Sequence, residues 1–225
     1  MDGKGVNGKK LGDTVLIVPG FGDSKKMPWW GVLKRYLREL DSEVTIETLD
    51  FSVTVSPPII TEESIHLPGT AIGSIRGYAE KVEDYASDIE GDIDIISHSM
   101  GGLVSRWFVE KLGGDDQVDD LVTLATPHQG TLKAYAGSLA PACREMLPGS
   151  DLIYELNSEA LPSSVNYTAV WGSSDHVFFQ EWRSKLPENL VVNNSKARNI
   201  FVGEVDHHEM LVNKEVFDHY KDFIG

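Results

Sequence analysis

The 225-residue sequence is poor in cysteine, in long apolar runs and in positive charge. Cys143 is its only cysteine, which excludes an intramolecular disulfide and a site built from several thiolates. No run of about 18 apolar residues occurs, so no segment is expected to cross a membrane as a helix. Twenty Lys and Arg against 35 Asp and Glu give a net charge of −15, which argues against nucleic acid or an anionic membrane as a partner.

The composition, with 41% hydrophobic and 24% charged residues, is typical of a globular chain. Residues 1–12 are polar and rich in glycine, which predicts a flexible tail before a single domain over 13–225. The first residues lack the apolar segment of a signal peptide, which favours the cytoplasm, although a mature secreted chain would lack it too. The sequence leaves the oligomeric state open and is compatible with a monomer.

Short apolar runs alternate with amphipathic stretches along most of the chain. The runs cover residues 13–20, 43–51, 92–97, 119–126, 166–172 and 198–205. The stretches with helical spacing cover residues 29–40, 74–91, 102–114 and 213–224. This alternation predicts an α/β fold, with a mostly parallel sheet of about six strands and helices on both faces. In such a sheet, functional residues gather at the carboxyl ends of the strands.

Two stretches, residues 52–73 and 131–165, interrupt the alternation and are rich in proline. Connections of this length are usually functional or mobile. We expect them to form the walls, or a small lid, of a pocket at the carboxyl edge of the sheet. The alternative is a pair of surface excursions without a role.

Ser99 lies between the apolar run that ends at Ser97 and the helical stretch that begins at Gly102. A serine in a sharp turn between strand and helix needs small neighbours, and Ser97 and Gly101 supply them two residues away on either side. The turn would expose the hydroxyl group above the amide groups of a helix N-terminus, which can stabilise a developing oxyanion. Ser99 is therefore the predicted nucleophile.

A serine nucleophile needs a base, and a histidine base needs a carboxylate that orients it. Asp175 stands three residues beyond the run 166–172, and His207 and His208 follow the run 198–205. All three thus meet the requirement of lying just after a predicted strand. Asp151 is an alternative acid, but no apolar run precedes it.

Four segments, ISHSMGGLVSRWF, LVTLATPHQGT, YTAVWGSSDHVF and DHHEMLVNKEVFDHY, resemble those of small α/β-hydrolases of the bacterial lipase and esterase type. The resemblance extends from Val15 to Ile224 and is weakest over 52–73. It implies an α/β-hydrolase fold, a Ser-His-Asp triad, and neither cofactor nor metal. It also implies hydrolysis of a small-molecule or lipid carboxylic ester through an acyl-enzyme.

The resemblance assigns the nucleophile to Ser99 and the triad acid to Asp175. For the base it favours His207 over His208, because the apolar pair and the helix that follow the family's histidine then fall on Met210-Leu211 and Glu215-Val216. His208 remains the reserve candidate.

The resemblance also implies an oxyanion hole formed by the amides of Met100 and Phe21. Pro19-Gly20 replaces the His-Gly pair that is common in the family. The replacement removes a side chain that shapes the loop but keeps the backbone donor of Phe21.

The remaining polar residues at the strand ends have simpler expected roles. His98 is expected to pack, His128 to anchor a loop, and Asp23 to hydrogen-bond within a turn. Trp29-Trp30 is expected either at the pocket mouth or at a core-facing helix start. An acidic cluster is expected to be a solvated connection, with calcium binding as the alternative. It comprises Asp115, Asp116, Asp119 and Asp120.

The sequence thus predicts a serine carboxylic-ester hydrolase that acts through Ser99, Asp175 and His207. A thioesterase or an acyltransferase would use the same acyl-Ser99, so the triad does not separate these activities. A catalytically silent binding protein with a hydrolase-like fold is the alternative from another class.

Overall fold

The computed structural model describes residues 11–51, 59–61, 64–66, 73–175 and 181–225, and six strands of this part form one parallel sheet. They are β1 (Thr14–Val18), β2 (Thr45–Thr48), β5 (Ile93–His98), β6 (Val118–Leu124), β7 (Asn166–Trp171) and β8 (Ala197–Phe201). Their order in the sheet is β2-β1-β5-β6-β7-β8, and every neighbouring pair is parallel. The parallel sheet predicted from the apolar runs is confirmed.

Helices connect the strands and cover both faces of the sheet. They are α1 (Pro28–Leu40), α2 (Ile75–Ala86), α3 (Met100–Lys111), α4 (Pro141–Glu145), α5 (Asp151–Ser158), α6 (Glu188–Val192), α7 (Glu209–Val212) and α8 (Lys214–Tyr220). Short 3-10 helices lie at Gly114–Asp116, Leu132–Gly137, Glu181–Ser184 and Lys221–Phe223. None of the helices in the described residues is long and apolar enough to span a membrane.

Alternation along the buried strands divides the core into two clusters, because successive side chains point to opposite faces. On β1, Leu16 and Val18 pack with α2, α3 and the segment 134–161. Val15 and Ile17 pack with α1, α7 and α8 on the other face. The helices on both faces, as predicted, are therefore held by two apolar layers.

The ends of several elements differ from the ends that the sequence pattern predicts. The last strand stops at Phe201 rather than 205, because Gly203 takes a positive φ of 84° and its carbonyl accepts a hydrogen bond from the Ser173 amide. The chain then runs without regular structure to α7, a four-residue helix too short to show a period. Asn213 caps α8 by accepting from the Glu215 amide at 2.9 Å.

The two stretches that break the alternation have different structures. Residues 131–165 hold the 3-10 helix Leu132–Gly137 and the short helices α4 and α5. Most of 52–73 lies outside the described residues, apart from the antiparallel pair β3 (Ile59–Thr61) and β4 (Ser64–His66), which the sequence did not predict.

Of the predicted tail, residues 1–10 also lie outside the described part. Leu11 is buried, and the Gly12 amide donates to Asp94 Oδ2 at 2.7 Å, so the end of the predicted tail packs against β5.

Candidate active site

Ser99 occupies the turn between β5 and α3 with a backbone conformation that side chains seldom adopt. Its φ is 54° and its ψ is −128°. Such a conformation in a residue other than glycine costs about 1–3 kcal/mol and is found mainly at functional sites. The turn is held by the Ser99 amide, which donates to the Leu124 carbonyl of β6 at 2.9 Å.

The residues around Ser99 are small because the chain is crowded on both sides. A Cβ atom at Gly101 would collide with the carbonyl oxygens of Val18 and Pro19 at the end of β1. A Cβ atom at Gly102 would collide with the Thr126 side chain after β6. The first turn of α3 is therefore wedged between the two neighbouring strand ends, as the spacing of small residues suggested.

His207 and Asp175 come from different strand ends and meet in the structure. Asp175 follows β7 and is buried, and His207 follows β8 and is 7% exposed. His207 Nδ1 lies 2.9 Å from Asp175 Oδ2. A carboxylate only accepts hydrogen bonds, so Nδ1 carries the proton and Nε2 is left as the acceptor.

Ser99 and His207 line the same cavity, whose volume is about 520 Å³. This size lies in the range of small-molecule sites, roughly 300–1,000 Å³. Next to Lys133, small and apolar residues from 134–146 supply one wall. They are Ala134, Ala136, Gly137, Cys143 and Met146. Burial raises the pKa of the Cys143 thiol, so this cysteine acts as an apolar part of the wall.

The two predicted oxyanion donors, Met100 and Phe21, come from the first residue of α3 and from the loop after β1. Met100 is the first residue of α3, so its amide is one of the N–H groups that a helix N-terminus leaves without an intrahelical acceptor. Phe21 lies in the loop after β1 and lines the cavity. That loop passes directly against Ser99, because a Cβ atom at Gly20 would lie 3.0 Å from Ser99 Cβ.

His98 is packed, as expected, but it also borders the cavity and makes polar contacts that the sequence did not suggest. It is 1% exposed, and its Nε2 lies 2.9 Å from the backbone carbonyl oxygen of His207. Its Nδ1 lies 3.6 Å from Asp23 Oδ2. Burial lowers the pKa of His98, and the neighbouring Asp23 carboxylate partly opposes that shift. One indication of the contact between Asp23 and His98 was present in the sequence, because Asp23 lies just past β1 at the carboxyl edge of the sheet.

His128 anchors the loop after β6 through a buried polar network. Its Nε2 pairs with Thr123 Oγ1 at 2.9 Å, and its backbone carbonyl accepts from Asn157 Nδ2 at 2.7 Å. Its Nδ1 faces Arg106, which is fully buried and paired with Glu110 at 2.7 Å. Burial, followed by the charge of Arg106, holds the pKa of His128 well below its usual value.

Two candidates from the sequence lie away from this cavity: Asp151 as the alternative acid, and the acidic cluster as the alternative calcium site. Asp151 is the first residue of α5 and follows the capping residue Ser150. In the acidic cluster, Asp120 Oδ2 accepts from the Gly225 amide at 3.0 Å. The described residues hold no group of three or more His, Cys, Asp or Glu side chains arranged for a metal ion.

Comparison with solved structures identifies the fold. The mature lipase BlEst2 of Bacillus licheniformis has a TM-score of 0.62 at 14% identity, over 97% of this chain and 95% of that one. Alpha/beta hydrolase domain-containing protein 10 from mouse has a TM-score of 0.61 at 15% identity, over 94% and 87% of the two chains. A lipase-esterase related protein from Clostridium acetobutylicum has a TM-score of 0.57 at 20% identity, over 94% of each chain. The chain has the α/β-hydrolase fold.

Comparison of the sequence with family models identifies the family. None of the curated proteins compared with the sequence matches it significantly. The model of the palmitoyl protein thioesterase family matches residues 14–203, from β1 to the turn after β8. Because the match covers most of the chain, this protein belongs to the palmitoyl protein thioesterase family and is an α/β-hydrolase of the lipase, esterase and thioesterase type.

Proposed function

We propose that this protein hydrolyses acyl esters and acyl thioesters through an acyl-enzyme formed on Ser99. The observation that carries the proposal is the pair formed by His207 Nδ1 and Asp175 Oδ2, 2.9 Å apart, beside a cavity that His207 shares with Ser99. A buried carboxylate that orients a histidine next to a strained serine is the arrangement that serine acyl transfer requires.

In the first half of the reaction, His207 Nε2 takes the proton from Ser99 Oγ as this oxygen attacks the substrate carbonyl carbon. The negative charge that forms on the carbonyl oxygen is stabilised by the amides of Met100 and Phe21. When the tetrahedral intermediate collapses, the bond to the alcohol or thiol breaks, and His207 returns the proton to that leaving group.

In the second half, His207 Nε2 takes a proton from water, whose oxygen attacks the acyl carbon of the ester on Ser99. The bond to Ser99 Oγ breaks, the oxygen recovers its proton from His207, and the carboxylic acid leaves. The acyl chain lies along the apolar wall from 134–146 in both halves.

Membership of the palmitoyl protein thioesterase family favours a thioester as a substrate, and the lipase-like neighbours favour an ester. Both fit the same mechanism, because they differ only in the leaving group. The apolar wall favours an aliphatic acyl chain over a charged one.

The test uses matched esters and thioesters with saturated acyl chains of increasing length. The wild-type protein is expected to turn over both series. Ser99→Ala should lower kcat/KM by about a thousandfold or more, since removing a triad nucleophile leaves only the residual stabilisation of the oxyanion hole and binding. His219→Ala, at an exposed histidine on α8, is the control and should keep the wild-type rate.

A Ser99→Ala variant that is folded and keeps more than a tenth of the wild-type kcat/KM would rule out the proposal. Wild-type protein that reacts neither with the substrates nor with a fluorophosphonate would instead indicate a silent binding protein. An acyltransferase is distinguished by adding an alcohol or thiol acceptor, which would take most of the acyl group in competition with water.

A further inference from the structure

The side chain of His98 connects the three segments that carry the proposed reacting groups. His98 is the last residue of β5 and immediately precedes Ser99. Its Nε2 lies 2.9 Å from the His207 carbonyl oxygen. On its other side, Nδ1 faces Asp23, which follows Phe21 by two residues in the loop after β1. One buried ring therefore bridges the turn of the nucleophile, the loop of the base and the loop of an oxyanion donor.

The chemistry of the two contacts determines which nitrogen of His98 carries a proton. The carbonyl oxygen of His207 can only accept, so Nε2 must be the donor in the 2.9 Å contact. The 3.6 Å separation between Nδ1 and Asp23 is longer than a hydrogen bond. The shorter contact therefore dominates, and His98 donates from Nε2 to the backbone of His207.

This hydrogen bond supplies a second anchor for the His207 residue. His207 lies in a turn just before α7, where Asp206 Oδ1 accepts hydrogen bonds from the amides of His208 and Glu209. Asp175 holds the imidazole through Nδ1, and His98 holds the backbone carbonyl. The two ring centroids of His98 and His207 are 4.5 Å apart, so the ring of His98 also limits where that of His207 can lie.

We propose that His98 is a positioning residue, which holds His207 in line with Ser99 by donating a hydrogen bond from Nε2 to the His207 carbonyl. The proposal rests on the proposed function, in which His207 is the base. Displacing a base by about 1 Å can lower a rate about a hundredfold, because proton transfer depends steeply on geometry. The surroundings of His98 that bear on the contact are Asp23, the rings of His207 and His208, and Trp30.

The test compares two substitutions of similar length. His98→Gln keeps an N–H donor near the position of Nε2, and His98→Met fills similar space next to Trp30 without a donor. We expect His98→Met to lower kcat about 10- to 100-fold with KM changed less than about threefold, since the base is displaced but the apolar wall from 134–146 remains. His98→Gln should stay within about fivefold of the wild-type kcat, and the rate of fluorophosphonate labelling of Ser99 should follow kcat in both variants.

His219→Met is the matched control, because it makes the same change at an exposed histidine on α8. Equal kcat values in folded His98→Gln and His98→Met would overturn the proposal, whether both equal the wild type or both fall. Should the methionine variant not fold, His98→Asn replaces it, because that shorter amide ends before the His207 carbonyl. Asn and Gln variants with the same kcat would then overturn it.

The Ser99→Ala comparison separates this proposal from the proposed function. Turnover that disappears in Ser99→Ala establishes the reaction first, and only then do the His98 variants decide the positioning role. Nitrogen-15 spectra of histidine-labelled protein give a readout without turnover. The histidine signal that is lost in His98→Gln belongs to His98 and should show a proton on Nε2. A His98 Nε2 without a proton would overturn the proposal.

Discussion

His207 and His208 are neighbours in the chain, but their side chains have different surroundings. His207 is buried and hydrogen-bonded to Asp175 at 2.9 Å. His208 is exposed, and its ring lies at 90° to that of His207 and 5.1 Å from the ring of Trp29. A base needs a fixed tautomer and direction, and an orienting carboxylate supplies both. These surroundings support His207 as the base and His208 as part of the cavity wall.

This difference leads to a prediction at the scale of the residue. His207→Ala should lower kcat at least about a hundredfold more than His208→Ala does, because only the former removes the proposed base. Steady-state kinetics with one ester and one thioester measure it. A larger loss in His208→Ala would transfer the role of base to His208.

At the scale of the element, the start of α3 is closely packed against the ends of β1 and β6. Gly101 sits against the backbone at the end of β1, and its substitution would push the helix away from the sheet. Gly31 in α1 offers a contrast, because a Cβ atom there would meet nothing within 4 Å. The two glycines thus differ in their surroundings rather than in the type of element.

Gly101→Ala is expected to lower the free energy of unfolding by about 1–3 kcal/mol or more, since backbone atoms cannot move aside as a side chain can. Gly31→Ala should raise it by up to about 1 kcal/mol, because alanine favours a helix. Urea denaturation of both variants measures the two changes. A Gly101→Ala variant as stable as the wild type would contradict the close packing of α3 on β1.

At the scale of the whole molecule, buried histidines link stability to pH. His128 is neutral in the folded protein, because burial and the adjacent Arg106 keep its pKa well below 6.5. The unfolded chain takes up a proton there once the pH falls below about 6.5. The unfolded state then binds more protons than the folded state, so stability falls as the pH drops from 6.5 towards the folded pKa.

His128→Gln removes this proton uptake and keeps an N–H donor for Thr123. The difference in the free energy of unfolding between wild type and variant should therefore shrink by about 1 kcal/mol between pH 7.5 and pH 5.5. Urea denaturation at these two pH values measures the change. His98 is present in both proteins, so its contribution to the pH dependence cancels in the difference. A difference that stays constant with pH would show that His128 does not carry the linkage.

The order and type of the main elements could be predicted because they depend on local patterns. The apolar runs of β1, β5, β6 and β7 are buried on both faces, and such strands stand out in a sequence. Boundaries were less accurate where a single residue ends an element, as Gly203 does after β8. The pair β3 and β4 and the helix α7 were not predicted, because three or four residues do not show a period.

The sharp turn at Ser99 could also be found from the sequence, because the crowding that requires Gly101 and Gly102 acts within a few residues of Ser99. Only the tertiary structure decided that His207 meets Asp175, that His98 reaches the His207 carbonyl, and that residues 134–146 form a wall of the cavity. These contacts depend on the strand order β2-β1-β5-β6-β7-β8 and on the paths of the loops beyond the strand ends. Both are set by the packing of the complete sheet with its helices rather than by the residues next to each group.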